Sequence, residues 1–264
     1  MSWRRLEGAL AVVTGASGGI GRAIALELAN RRAQLVLTAR RHDQLQAVAA
    51  EAVKRGAPQP TVVVGDIADP ALRERLVAAA RLTDRPLDLL VNNAGVSAHG
   101  LFADAGAERL EQILRVNFLA AAELTRLAIP LMRGADDPAI LNVGSILAHR
   151  GIPHNSEYCA SKAAFRAWSE AIRAELAGRG IDVVLLTPGT TDTEFFSHLI
   201  DKQREQLPWG SPQGMPPEAV ARAAVRGLER RRREIVPGWK AKAFVLGARL
   251  APGLMDRAMR RYGG

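Results

Sequence analysis

Short apolar runs alternate along the chain with longer stretches whose apolar residues recur three and four places apart. ALAVVT (9–14), QLVLTA (34–39), TVVVGD (61–66), LDLLVNN (87–93), AILNVGS (139–145) and DVVLLTP (182–188) are rich in Val, Ile and Leu. Such near-continuous runs suit parallel strands covered on both faces, because a strand with one wet side alternates apolar and polar residues. Residues 19–32, 42–56, 69–83, 107–132 and 156–178 carry the helical period between them. The alternation predicts a doubly wound α/β domain, with helices on both faces of a parallel sheet joined by right-handed crossovers. REIVPG (233–238) adds a seventh, edge strand.

With 264 residues and 48% hydrophobic content, the chain can fill one core of this kind. The expected organisation is a single body over 1–238 and an extension over 239–264. The least regular stretch, 190–217, combines Gly and Pro with Phe195, Phe196, Leu199, Ile200, Leu207 and Trp209. It reads as a mobile flap carrying a short helix, its apolar residues either closing over an apolar substrate or packing as ordinary core.

VVTGASGGIGRAIA joins the first strand to the first helix and makes the domain Rossmann-type. Gly15, Gly19 and Gly21 are spaced G-x-x-x-G-x-G, with Ser17, Gly18 and Ile20 between them. Glycines there let the backbone approach a pyrophosphate while the amides and dipole of the helix start attract its charge. An NAD site usually ends its second strand in an acid that binds the adenosine ribose. Here Ala39 stands at that end, followed by Arg40 and Arg41, so no carboxylate repels a 2′-phosphate and two guanidinium groups can bind it. The expected cofactor is NADP(H).

SEYCASK (156–162) places Tyr158 four residues before Lys162, on one face of a helix. Together with TGxxxGxG at 14–21, Asn92-Asn93-Ala94-Gly95 after the fourth strand, Asn117, Ser145 thirteen residues before Tyr158, and Pro188-Gly189 followed by Thr193, this order resembles the short-chain dehydrogenase/reductase family over about residues 8–238. The resemblance implies a catalytic tetrad of Asn117, Ser145, Tyr158 and Lys162. Tyr158 would be the general acid or base, its phenol lowered by the Lys162 ammonium and by an oxidised nicotinamide. Ser145 would donate to the substrate oxygen, Lys162 would also hold the nicotinamide ribose, and Asn117 would link Lys162 to solvent through a water. It further implies adenine contact at Asp66 and Ile67, a ribose wall of Asn93, Ala94 and Gly95 with Asn92 serving the sheet, and carboxamide and pyrophosphate contacts at Pro188, Gly189, Thr191 and Thr193.

A formal charge of +9 is concentrated at one end: Pro217 to Gly264 hold twelve Lys or Arg and four Asp or Glu. The tail fits two amphipathic helices broken at Pro252-Gly253, covering its own substrate cleft, packing on a partner subunit, or resting on an anionic membrane surface. Nucleic acid is not the expected partner, since the basic residues lack interleaved aromatics or a recognisable module. Cys159 is the single cysteine, which with no leader pattern at the N-terminus fits a reducing, cytoplasmic setting for a chain that is soluble or membrane-associated. His99, His149 and His154 lack metal-ligand spacing, and no metal is expected. By analogy with the family, the segments at 107–132 and 156–178 would pair across subunits of a homodimer or homotetramer. The expected activity is NADP(H)-dependent interconversion of a carbonyl and a secondary alcohol on a hydrophobic, lipid-like or steroid-like small molecule. The rival readings are a reductase of carrier-bound 3-oxoacyl thioesters and a non-catalytic sensor of NADP(H).

Overall fold

The structure, a computed structural model, describes residues 3–83, 85–197, 199–201 and 213–262. Its centre is a seven-stranded parallel sheet of β1 (Leu10–Thr14), β2 (Gln34–Ala39), β3 (Thr61–Val64), β4 (Leu89–Asn92), β5 (Ala139–Val143), β6 (Asp182–Leu186) and β7 (Glu234–Ile235), in the order β3-β2-β1-β4-β5-β6-β7. Alternate residues of each strand feed opposite layers. Ala11 and Val13 face a core shared with α1 (Gly19–Ala29), α2 (His42–Lys54) and α7 (Pro217–Glu229). Leu10 and Val12 face a second core with α3 (Pro70–Arg81) and α5 (Ala120–Ala128). Both layers are dry, which is why the strands are apolar throughout rather than alternating.

The remaining helices are α4 (Ala107–Leu114), α6 (Ser156–Ala177), α8 (Trp239–Leu250) and α9 (Pro252–Met259). Residues 107–132, expected as one helix, are broken in two places. Arg115–Leu119 form a π-helical turn between α4 and α5, and Ile129–Met132 tighten to a 3-10 turn after α5. Pro130 accounts for the second break, having no N–H to continue the ladder. The first centres on Asn117, whose side chain accepts from Val96 N at 2.8 Å and donates to Val96 O at 2.9 Å, tying the helix to the loop after β4. In 190–217, the described residues form a 3-10 turn at Glu194–Ser197 and a bridge from Thr191 to Met215. The Phe196 side chain lies outside what is described, as do Leu207 and Trp209.

The tail folds back on its own chain. Ala241 and Val245 of α8 are buried, with Ala241 against Gly189, and Met255 of α9 lies beside Gly247. Arg150 pairs with Asp256, and His154 Nε2 meets the Tyr262 carbonyl at 2.9 Å. Among the described residues no helix is long and apolar enough to cross a membrane.

Candidate active site

The strand order reverses between β1 and β4, so their carboxyl ends open onto a common cleft, as such sheets dictate. The cavity there measures about 560 Å³ and runs from Arg40 and Asp66 at one end to Ser145 and Tyr158 at the other. At the first end the chain turns at Gly15, whose φ of +64 would strain any other residue. It then enters α1 so closely that a Cβ on Gly21 would lie 2.4 Å from Gly15 O and 2.3 Å from Asn93 Nδ2. α3 is capped by Asp69, which accepts from Ala71 N at 2.9 Å; α1 starts at Gly18 with no capping side chain and no acid in its first turn. The positive end of α1 therefore faces the cleft with no acid of its own first turn to offset it.

Arg41 closes this end, its Nε donating to Ser17 Oγ at 3.3 Å and its Nη1 to Glu194 Oε2 at 2.7 Å. Arg40 is exposed beside it, and Ile20 lines the cavity below. Thr193 packs its methyl against Gly19, and Thr191 Oγ1 donates to Gly189 O at 3.1 Å. Pro188 O accepts from Ile146 N at 3.0 Å, joining the turn after β6 to the one after β5. Asp66 is exposed and caps its own turn, accepting from Ala68 N at 2.9 Å, while Ile67 is buried beneath it. Asn93 donates to Thr14 O at 2.9 Å, and Thr14 Oγ1 accepts from the amides of Asn93 and Ala94 at 2.9 and 3.1 Å. Asn92 instead donates to Asn142 and Thr125 inside the sheet.

Ser145, Tyr158 and Lys162 line the other end, with Asn117 buried beside Gly95. Ser145 caps a 3-10 turn at Ile146–Ala148, accepting from Leu147 N at 3.1 Å, and its side chain is hydrogen-bonded with the Tyr158 hydroxyl. Lys162 Nζ lies 5.7 Å from the Tyr158 ring centroid and donates to Val143 O at 2.9 Å. Gly95 leaves room for both neighbours, since a Cβ there would lie 3.2 Å from Asn117 Oδ1 and 3.8 Å from Lys162 Nζ. Asn117 Nδ2 also donates to Ser161 Oγ at 2.9 Å, so its side chain is fully committed to holding the π turn and α6 together. Cys159 is buried on another face of α6.

Electrostatics correct one expectation. From the protein's own groups, burial pushes the Tyr158 phenol up, and the Ser145 hydrogen bond offsets only part of that rise. Burial also pushes the Lys162 ammonium down, to about 8. A phenol already lowered by the lysine is therefore not what the chain's own groups provide: burial is the largest influence on Tyr158.

Three features escaped the sequence. Arg109 is buried in α4 with Glu157, at 2.6 Å, and also reaches Asp201 at 3.0 Å. Burial works against the Glu157 carboxylate, yet hydrogen bonds from Ser156 and Arg109 hold it below its ordinary value. This cluster fixes the residue preceding Tyr158 and ties down 199–201, where Asp201 O also accepts from His99 N at 3.0 Å. Glu194 pairs with Arg41, and the next residue, Phe195, lays its ring 5.8 Å from that of Tyr158. His154 anchors the tail. A charge with its partner 48, 92 or 153 positions away leaves no local pattern, so only the spatial arrangement reveals these roles.

The donors fit a dinucleotide: a glycine turn with no room for a Cβ, an uncapped helix start, two guanidinium groups at one end and a phenol–lysine pair at the other. Comparison with known proteins agrees. The sequence profile described as short chain dehydrogenase matches residues 9–204. Ketoacyl reductase HetN of Nostoc sp. is 30% identical over 98% of this chain and 90% of its own. 11-beta-hydroxysteroid dehydrogenase 1A of Arabidopsis thaliana is 32% identical over 97% of this chain and 75% of its own. A crystal structure of a short chain dehydrogenase from Burkholderia cenocepacia in complex with NADP superposes with a TM-score of 0.81 at 27% identity, covering 97% of this chain and 99% of that one.

Proposed function

The chain belongs to the short-chain dehydrogenase family of oxidoreductases, and on that premise we propose that it is an NADP(H)-dependent enzyme interconverting a carbonyl and a secondary alcohol on a hydrophobic small molecule. One observation carries this reading: a single cavity has paired arginines at one end and, at the other, a tyrosine bonded to a serine with a lysine beside it. A sensor without turnover has no use for that second end.

Arg40 and Arg41 would bind the 2′-phosphate, the α1 amides the pyrophosphate, Asp66 and Ile67 the adenine, Asn93, Ala94 and Gly95 the adenosine ribose, and Gly189, Thr191 and Thr193 the nicotinamide side. The nicotinamide, when bound, supplies or accepts the hydride at the carbinol carbon and in its oxidised form adds a positive charge near the phenol. Reduction places the substrate oxygen between Ser145 and Tyr158. Ser145 donates a hydrogen bond to the oxygen as negative charge builds there, and Tyr158 transfers its proton to it. Burial favours the protonated phenol, which suits the acid role; oxidation needs the phenolate and so depends more heavily on nearby positive charge. Lys162 would hold the ribose hydroxyls and return a proton to Tyr158. A path from Lys162 to solvent past Asn117 would have to bypass the Asn117 side chain, which is spent on Val96 and Ser161.

Phe195, Ile146, Leu147 and Ile152 line the substrate end, supporting an apolar substrate. The similarity to a ketoacyl reductase and the net positive tail favour 3-oxoacyl thioesters as the second substrate class. Leu110 and Leu119, exposed on the α4–α5 segment, support assembly as a homodimer or homotetramer. The test is a screen of ketones, alcohols and 3-oxoacyl thioesters with each cofactor, followed at the nicotinamide absorbance. Turnover of hydrophobic ketones with NADPH is expected. A tenfold preference for NADH, or activity confined to sugars, overturns the reading.

A further inference from the structure

We propose that the outward face of α8 docks on an anionic phospholipid membrane. This inference is independent of the reaction assigned above. α8 shows two opposite apolar faces where an ordinary surface helix shows one. Ala241 and Val245 are buried against the body, but Trp239, Ala243, Leu246 and Leu250, at the i, i+4, i+7 and i+11 positions, form a continuous stripe on the other side. Trp239 is 74% exposed, Leu246 57% and Leu250 75%, and Leu254 of the adjoining α9 is 67% exposed.

Charge selects the occupant. Lys242 and Arg249 border the stripe on one side and Lys240 on the other, with Lys240 Nζ 6.0 Å from the Trp239 ring centroid. Residues 239–262 contain six Lys or Arg and one acid, Asp256, which is paired with Arg150. A second copy laid on the stripe by a two-fold axis would press these basic borders against each other. Lipid headgroups of negative charge neutralise them while the stripe enters the acyl boundary, the arrangement of an in-plane amphipathic helix. The inner face of the same helix rests on Gly189 and adjoins the turn at Ile146–Ala148, so bilayer and cleft wall would lie on opposite sides of one helix.

The test uses the full chain and sedimentation with vesicles of phosphatidylcholine alone or with phosphatidylserine. Sedimentation with the anionic vesicles alone is expected, falling severalfold at high salt, with a blue shift of tryptophan emission. Leu246→Glu with Leu250→Glu should weaken vesicle binding at least about tenfold while leaving NADPH titration and thermal melting unchanged. Lys240→Glu with Lys242→Glu, which leaves the apolar stripe intact, should lose the preference for anionic lipid. Failure of the wild type to bind anionic vesicles, or binding by both double variants equal to that of the wild type, overturns the proposal. So does a shift from dimer to monomer in Leu246→Glu/Leu250→Glu, which would make a second copy the occupant.

Discussion

At the Gly15 end of the cleft the shape is made mainly by the backbone of residues 10–39: a positive-φ turn, a helix start without a cap, and strand ends in fixed register. At the Tyr158 end it is made by side chains drawn from the turn after β5, from α6 and from the turn at Glu194–Ser197, in surroundings held by hydrogen bonds spanning tens to more than a hundred residues. The contrast teaches where substitution bites. Backbone geometry tolerates almost no added atom and fails by losing shape, whereas the assembled end keeps its shape and fails by losing chemistry.

The sharpest separation of the two ends is Tyr158→Phe. It should lower turnover by about a thousandfold or more, the scale of a lost general acid, while NADPH titration changes less than about threefold. Comparable loss of affinity would show that the ends are not separable. At the other end, Gly21→Ala forces a methyl to within 2.4 Å of Gly15 O and should cost about 1–3 kcal/mol of stability in denaturant titration, with weaker cofactor binding. Arg41→Ala removes a charge-assisted contact and should shrink the NADP-over-NAD binding preference by roughly tenfold to a hundredfold. The pH dependence of binding tests Lys162. With its ammonium pushed down to about 8, affinity for NADP(H) should be flat below that pH and fall above it, because the protonated amine is the form that donates to the ribose. Lys162→Met should flatten the profile. The smallest effect is expected of Glu194→Gln, which frees Arg41 of a largely exposed competitor and should tighten NADPH binding by about twofold to fivefold.

The legibility of the sequence follows the same division. The seven strands, their order of appearance and the glycine turn could be read because each is a local pattern: doubly buried strands are apolar throughout, and a glycine-rich turn sits between a strand and a helix. The tetrad residues could be named from the family resemblance, and the structure brings Ser145, Tyr158 and Lys162 to the cleft with Asn117 buried beside Gly95. Hidden from the sequence were the π turn, which arises because Asn117 is satisfied by Val96 twenty-one positions earlier, and the raised phenol, which depends on how much water the folded surroundings exclude. The Arg109–Glu157–Asp201 cluster belongs with them: three ordinary charges become a buried anchor only once α4, α6 and residue 201 are adjacent.

The pairing of Arg41 with Glu194 has a consequence for the order of events. One guanidinium edge cannot serve a carboxylate and a phosphate equally, so an arriving phosphate would displace the residue whose neighbour, Phe195, lies on Tyr158. Thermodynamic reciprocity then requires that anything shifting Phe195 also alter the hold on the distant phosphate. The two ligands of this cleft would sense each other's arrival across its whole length without touching.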